Sequence, residues 1–87
     1  MKINELLQTL GYQVKIDDEG FEDYTKVFTN GVESFLSSTG IHVLKEENGK
    51  LISITNEIPE KYQLVCFNID YATESEIIAF DKYLENL

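Results

Sequence analysis

Near the start of the chain the apolar residues fall at Ile3, Leu6, Leu7 and Leu10, the i, i+3, i+4, i+7 spacing of one helical face. Gly11 then stands where a helix C-terminus favours glycine. A short amphipathic helix over 3–10 is predicted. The period then changes: in YQVKID, Tyr12, Val14 and Ile16 alternate with Gln13, Lys15 and Asp17, which predicts a half-buried strand over 12–17. Beyond an acidic stretch, Asn30-Gly31 and Asn48-Gly49 each lie between strand-like residues, and Asn-Gly is the strongest short-range hairpin signal. Two hairpins are expected, and side-chain matching sets their registers, because a slip of one residue turns a strand's apolar set to the wrong face. A three-residue loop, Thr29-Asn30-Gly31, pairs Phe28 with Val32 and Tyr24 with Leu36, whereas a two-residue loop sets Phe28 against Glu33. At the second hairpin a two-residue loop pairs Val43 with Ile54 and Lys45 with Ile52. That register gathers Ile41, Val43, Ile52 and Ile54 on a core face.

NEIPE reads as a turn, since Pro59 is excluded from a central ladder, and KYQLVCFNID (61–70) reads as the longest and most apolar strand, inside the sheet. At Thr73 the series Thr-Glu-Ser-Glu is a capping box, in which the Thr73 side chain accepts from the Glu76 N–H while Glu76 reaches back. Ile77, Phe80, Leu84 and Leu87 then form one apolar stripe, with Glu74, Asp81, Lys82 and Glu85 away from its centre. The predicted fold is α+β, one small domain over 1–87. It is an antiparallel β-meander of about five strands flanked by a short N-terminal helix and a C-terminal helix, α-β-β-β-β-β-α, with both helices on one sheet face. The glycines punctuate turns, and the segments between them do not repeat.

Composition narrows the function classes. A chain of 87 residues holds one core, and 43% hydrophobic residues with a single proline place it among globular rather than disordered chains. Cys66, the one cysteine, cannot form an internal disulfide. MKINELLQTL lacks the long apolar segment and cleavage site of a secretory signal, and no run approaches the ~20 apolar residues of a membrane span. A cytoplasmic setting is expected. Sixteen acidic against seven basic residues give a formal charge of −9, which repels nucleic acid and anionic membranes and attracts basic surfaces. All seven basic residues are lysines, so the chain has no guanidinium for bidentate phosphate or guanine contacts. The partner this charge fits is a basic protein surface, with neither nucleic acid nor membrane bound directly.

The candidate chemistry is sparse. His42 and Cys66 are the available conventional base and nucleophile, and the proposed registers put both on the face away from Ile41 and Val43. No motif joins them to an orienting group. A pair of carboxylates for hydrolysis needs a cleft that so short a chain hardly supplies. An enzyme is not expected, and no cofactor is implied.

KIDDEGFEDYTK (15–26) sets Asp17, Asp18, Glu19, Glu22 and Asp23 around one glycine. An EF-hand loop begun at Asp17 needs oxygen at its fifth position and glycine at its sixth. Phe21 takes the fifth and Gly20 comes two places early, so the match fails. Two readings stand, a solvated connection or one part of a wider acidic rim that includes Glu46 and Glu47 before the second turn, Glu57 and Glu60 in the third, and Asp70, Glu74 and Glu76 at the last helix. Asp17, Asp18, Glu19, Glu22, Asp23, Glu46 and Glu47 are the candidate partner-binding residues. A second candidate is apolar: if Ile41, Val43, Ile52, Ile54, Val65 and Phe67 face the helices, then Leu44, Leu51, Tyr62, Leu64 and Cys66 face outward together. Such a patch suits a homodimer through Leu44, Leu51, Tyr62 and Leu64, unless a loop covers it.

MKINELL (1–7) followed by YQVKI (12–16), in a chain this short and acidic, resembles the opening of small phage-encoded type II-A anti-CRISPR proteins. The resemblance covers about sixteen positions. It implies an inhibitor that occupies a basic DNA-recognition surface of a CRISPR effector nuclease with carboxylates, a protein that mimics DNA and catalyses nothing. After residue 16 the sequence departs from that pattern, with strands where a helix carrying the acidic patch is expected, and no functional residue carries over. The same charge also fits an immunity protein or antitoxin that neutralises a basic toxin. A self-associating accessory subunit and a metal-dependent activity at 17–23 are the remaining alternatives.

Overall fold

The computed structural model describes residues 2–37, 40–62 and 71–87. Helix α1 (Ile3–Thr9) closes at Gly11, whose N–H donates to the Gln8 carbonyl at 3.1 Å while the Tyr12 N–H donates to the Leu7 carbonyl at 2.9 Å. This pair of bonds satisfies the last helical carbonyls and turns the chain directly into a strand. Strands β1 (Gln13–Ile16), β2 (Glu22–Val27), β3 (Val32–Ser37), β4 (Gly40–Glu47) and β5 (Lys50–Ser53) then pair antiparallel in chain order, as the meander predicts. Two 3-10 turns, Thr55–Glu57 and Glu60–Tyr62, precede α2 (Glu74–Glu85). Its N-terminus carries both halves of the expected capping box: Glu76 N–H donates to Thr73 Oγ1 at 3.2 Å, and Thr73 N–H donates to Glu76 Oε1 at 3.0 Å.

Both proposed registers hold. Tyr24 lies opposite Leu36 and the Phe28 N–H donates to the Val32 carbonyl at 2.7 Å; Lys45 lies opposite Ile52 and the Ile54 N–H donates to the Val43 carbonyl at 2.9 Å. At the second turn Asn48 and Gly49 are both left-handed (φ 52 and 80), the backbone of a two-residue hairpin whose twist matches its strands. β5 stops early because the Val43 N–H donates to Thr55 Oγ1 at 2.9 Å rather than to a further strand residue.

One sheet face carries the core. Tyr24, Val32, Leu36 and Val43 pack there against Leu7 of α1 and Ile77, Phe80 and Leu84 of α2, all of them almost fully buried, so both helices share that face. Each such side chain contributes about 1.5–3 kcal/mol by leaving water. Two polar contacts are enclosed with them. The Tyr12 hydroxyl donates to Ser34 Oγ at 3.0 Å, and Lys26 Nζ donates to Asp81 Oδ1 at 2.7 Å beneath the rings of Tyr12 and Phe28. Among the described residues no buried side-chain polar atom lacks a partner, and no helix is long and apolar enough to cross a membrane.

Several expectations need correction. The register sets Val14 opposite Tyr24, on the core face, yet Val14 and Ile16 are 40% and 69% exposed because the edge strand projects beyond the helices. Ile52 is on the expected face but 44% exposed, on the outermost described strand β5. Asp81, expected away from the centre of the apolar stripe, is only 6% exposed and paired with Lys26. Leu87, assigned to the apolar stripe, is exposed past the end of the helix. Residues 61 and 62, expected to open the longest strand, belong to a 3-10 turn; 63–70, with Leu64, Val65, Cys66, Phe67 and Asp70, lie outside the described residues.

Candidate functional site

The acidic stretch is itself a hairpin. Ile16 pairs with Glu22, the Asp17 N–H donates to the Phe21 carbonyl at 2.9 Å, and the Gly20 N–H donates to the Asp17 carbonyl at 3.0 Å. The same pair of bonds closes the Thr29-Asn30-Gly31 loop, where Gly31 N–H donates to the Phe28 carbonyl at 3.3 Å, so the chain uses one three-residue loop design twice. Asp17 shapes the loop with its side chain: Oδ1 accepts from the Glu19 and Phe21 N–H groups, each at 2.9 Å. Gly20 adopts φ +88, a left-handed conformation that costs an L side chain roughly 1–2 kcal/mol.

This geometry divides the seven candidate carboxylates. Asp18 and Glu19 are exposed at the loop tip. Asp17 is committed to the loop, and Glu22 accepts from the Tyr24 hydroxyl. Asp23 is half-buried on the face opposite the helices, paired across the ladder with Lys15. Glu46 and Glu47 sit at the other end of the sheet, beside Leu51 and Lys50 and next to the Asn30-Gly31 turn, to which the Glu46 N–H donates. Asp23 stands in the row of Ser37 and Gly40, six residues along β4 from Glu46. At the ~3.4 Å rise of a strand that is about 20 Å. The five acids of the hairpin are therefore brought together, and the other two form a separate group.

The face away from the helices is partly apolar. The registers align Gln13, Thr25, Phe35 and His42 in one row and Val27, Glu33, Leu44 and Ser53 in the next. Val27 is 71% exposed, Leu51 55% and Phe35 36%, and the Phe35 and His42 rings lie 6.5 Å apart. Leu44 and Leu51 thus share the outward face, as expected. Tyr62 does not join them: its ring stacks on Tyr83 of α2 at 4.6 Å, on the helix side. Between this face and the acidic hairpin lies a cavity of about 460 Å³ lined by Lys15, Asp17, Asp23, Thr25, Phe35, Leu36 and Ser37.

Phe35 and the two exposed edge residues, Val14 and Ile16, were absent from the predicted site. The signal for Phe35 was present, since pairing Tyr24 with Leu36 turns its neighbour to the opposite face. Among the described residues no three of His, Cys, Asp and Glu converge as metal ligands would. His42 stands exposed on the open face; its proposed partner Cys66 lies outside the described residues. No family model, curated protein or solved structure matches the chain.

Proposed function

We propose that this protein is a small acidic binding protein whose β1–β2 end docks on a basic surface of another protein. The observation that carries the reading is the placement of Asp23 beside the exposed Phe35 on the open face, around one cavity at the foot of the loop that carries Asp18 and Glu19. Carboxylates steer a basic partner and confer salt dependence, while neighbouring apolar side chains supply the dehydrated contact that charge alone lacks. Its setting in this reading is a cell's cytoplasm. The most concrete form is the one the N-terminal resemblance implies, inhibition of a CRISPR effector nuclease by occupying its DNA-recognition surface. Neutralisation of a basic toxin uses the same chemistry. Asp17 holds the loop, so the informative variant leaves it in place: Asp18, Glu19 and Asp23 all changed to lysine. Capture of a host partner from lysate is expected to be lost in that variant and to weaken steeply with salt in the parent. Undiminished, salt-independent capture by the variant sinks the proposal.

A second reading rests on the exposed Leu51 and Val27 and the half-buried Leu44 on the same face, a patch that suits association of two copies through the open face. Leu44→Glu is then expected to turn a dimer into a monomer in sedimentation. A parent that already sediments as a monomer removes this reading.

A further inference from the structure

We infer that the outer edge of β1 accepts an extended segment of the partner as a sixth strand, with a basic side chain of that segment seated between Asp17 and Asp23. This rests on the binding role proposed above and specifies how the partner is held. The starting point is the backbone. Bonding pairs in an antiparallel ladder alternate. The bond from Asp17 N–H to the Phe21 carbonyl therefore makes Lys15–Asp23 and Gln13–Thr25 the bonded pairs, and turns the N–H and C=O groups of Val14 and Ile16 to the outside. The Tyr12 N–H, of the same parity, also points outward, and there it meets the Leu7 carbonyl of α1. Among the described residues β1 is the terminal strand of the sheet, and all four of its residues are exposed. A strand edge of this kind is a ready template for a further chain.

Side chains choose the occupant. On the core side of the sheet Val14 and Ile16 offer apolar cross-strand partners. On the other side the position facing Asp17 lies beside the 460 Å³ cavity, whose lining includes the Asp17 and Asp23 carboxylates and Lys15, already paired across the ladder with Asp23. A lysine or arginine there sets its charge against the carboxylates. The residue facing Lys15 is best uncharged. An antiparallel segment of the pattern Arg-Val-Thr-Val meets all four positions. A second copy of this chain does not, because pairing β1 with β1 brings together two chains that each carry a formal charge of −9. The β5 edge is exposed too, but Lys50 and Lys45 flank it, and it lacks the acidic hairpin.

The test uses the full chain and a fluorescein-labelled synthetic peptide with the core Arg-Val-Thr-Val, read by fluorescence anisotropy and amide hydrogen exchange. Binding is expected to be saturable and salt-sensitive, and to slow exchange at Val14 and Ile16. The Lys15 amide, already bonded to Asp23, is expected to be protected with or without peptide. Val14→Pro removes an outward N–H without breaking the bond between β1 and β2, and is expected to weaken binding about tenfold. The same peptide N-methylated at both valines tests the point without altering the protein, and the same loss is expected. Asp23→Asn is expected to weaken the arginine peptide and to leave unchanged a peptide with alanine in place of arginine.

If the charge variants weaken binding while Val14→Pro and the N-methylated peptide do not, the contact is electrostatic only. The edge inference is then overturned while the proposed function stands. Absence of saturable peptide binding overturns it as well, whatever partner the lysine variant loses. Sedimentation as a dimer that Val14→Pro dissolves identifies a second copy as the occupant, and also overturns it.

Discussion

Lys26 Nζ lies 2.7 Å from Asp81 Oδ1, joining the second strand to the last helix across the edge of the core. The ammonium also lies 4.5 Å from the centre of the Phe28 ring and 5.6 Å from that of Tyr12, so both the carboxylate and the aromatic faces hold it. The two halves of the pair are therefore unequal. Asp81→Asn leaves a cation over two rings and a neutral acceptor beside it, whereas Lys26→Met leaves a carboxylate enclosed with nothing to balance it. In urea unfolding, Lys26→Met is expected to cost roughly 2–4 kcal/mol, somewhat below the range for fully buried pairs because Lys26 keeps some contact with water. Asp81→Asn is expected to cost less. Equal losses argue against the role given to the rings.

Burial holds the Tyr12 phenol well above the ordinary tyrosine value of 10.0; the Ser34 hydrogen bond offsets part of that rise, and the Asp81 charge adds a smaller push upward. Above that ordinary value the unfolded chain releases the proton and the folded chain keeps it. Stability is therefore intact below about pH 10 and falls as pH rises through the folded pKa. Tyr12→Phe removes this contribution. Melting temperatures measured from neutral to strongly alkaline pH are expected to fall less steeply for the variant than for the parent.

Asn30 fastens the β2–β3 turn to the end of α2. Its Nδ2 donates to the carbonyls of Leu84 at 2.9 Å, Leu87 at 3.1 Å and Glu85 at 3.2 Å, while Oδ1 accepts from the Val32 N–H at 3.2 Å. Asn30→Asp keeps the shape, removes the donor and sets a negative charge against the carbonyl end of the helix. A loss of about 1–2 kcal/mol is expected by chemical denaturation. Asn48→Asp, at an exposed turn where aspartate tolerates φ 52, is expected to stay within about 0.5 kcal/mol.

Gly20 has open space where a Cβ would stand, so the cost of Gly20→Ala is conformational alone, roughly 1–2 kcal/mol. Gly20→Asn is expected to recover part of it, because asparagine visits the left-handed region. If both variants match the parent in thermal unfolding, the loop does not hold its conformation in solution.

What the sequence disclosed was local. The Tyr24–Leu36 register, the Thr73–Glu76 capping box and the Gly11 helix end each depend on residues within a dozen positions of one another, and each appears as expected. The burial of Asp81 depends on Lys26, 55 positions away, and follows only once the strand order and the seat of α2 are known. Alternation at Val14 and Ile16 gave the correct face, but period alone says nothing about whether a helix covers it. The acidic hairpin was legible and passed over: Asp17 and Gly20 stand at the first and fourth positions of a turn, the placement such a turn prefers. For the candidate site, the grouping of the hairpin acids was visible in the sequence. Their separation from Glu46 and Glu47 was not, because it depends on which turns share an end of the sheet.

The meander order also bears on how the chain assembles. Each strand finds its partner across a short connection, so the sheet closes through a series of small loops, whereas α2 must return from the far end of the chain to meet β2 and α1. Short-range closures cost little entropy and come early; the long return costs more and comes late. Leu84→Ala is accordingly expected to hasten unfolding and scarcely slow refolding, and Val32→Ala to slow refolding, in stopped-flow experiments. Until α2 docks, the nascent sheet exposes Tyr24, Leu36 and Val43 to water. That makes the final helix the step at which a newly made chain stops being prone to aggregate.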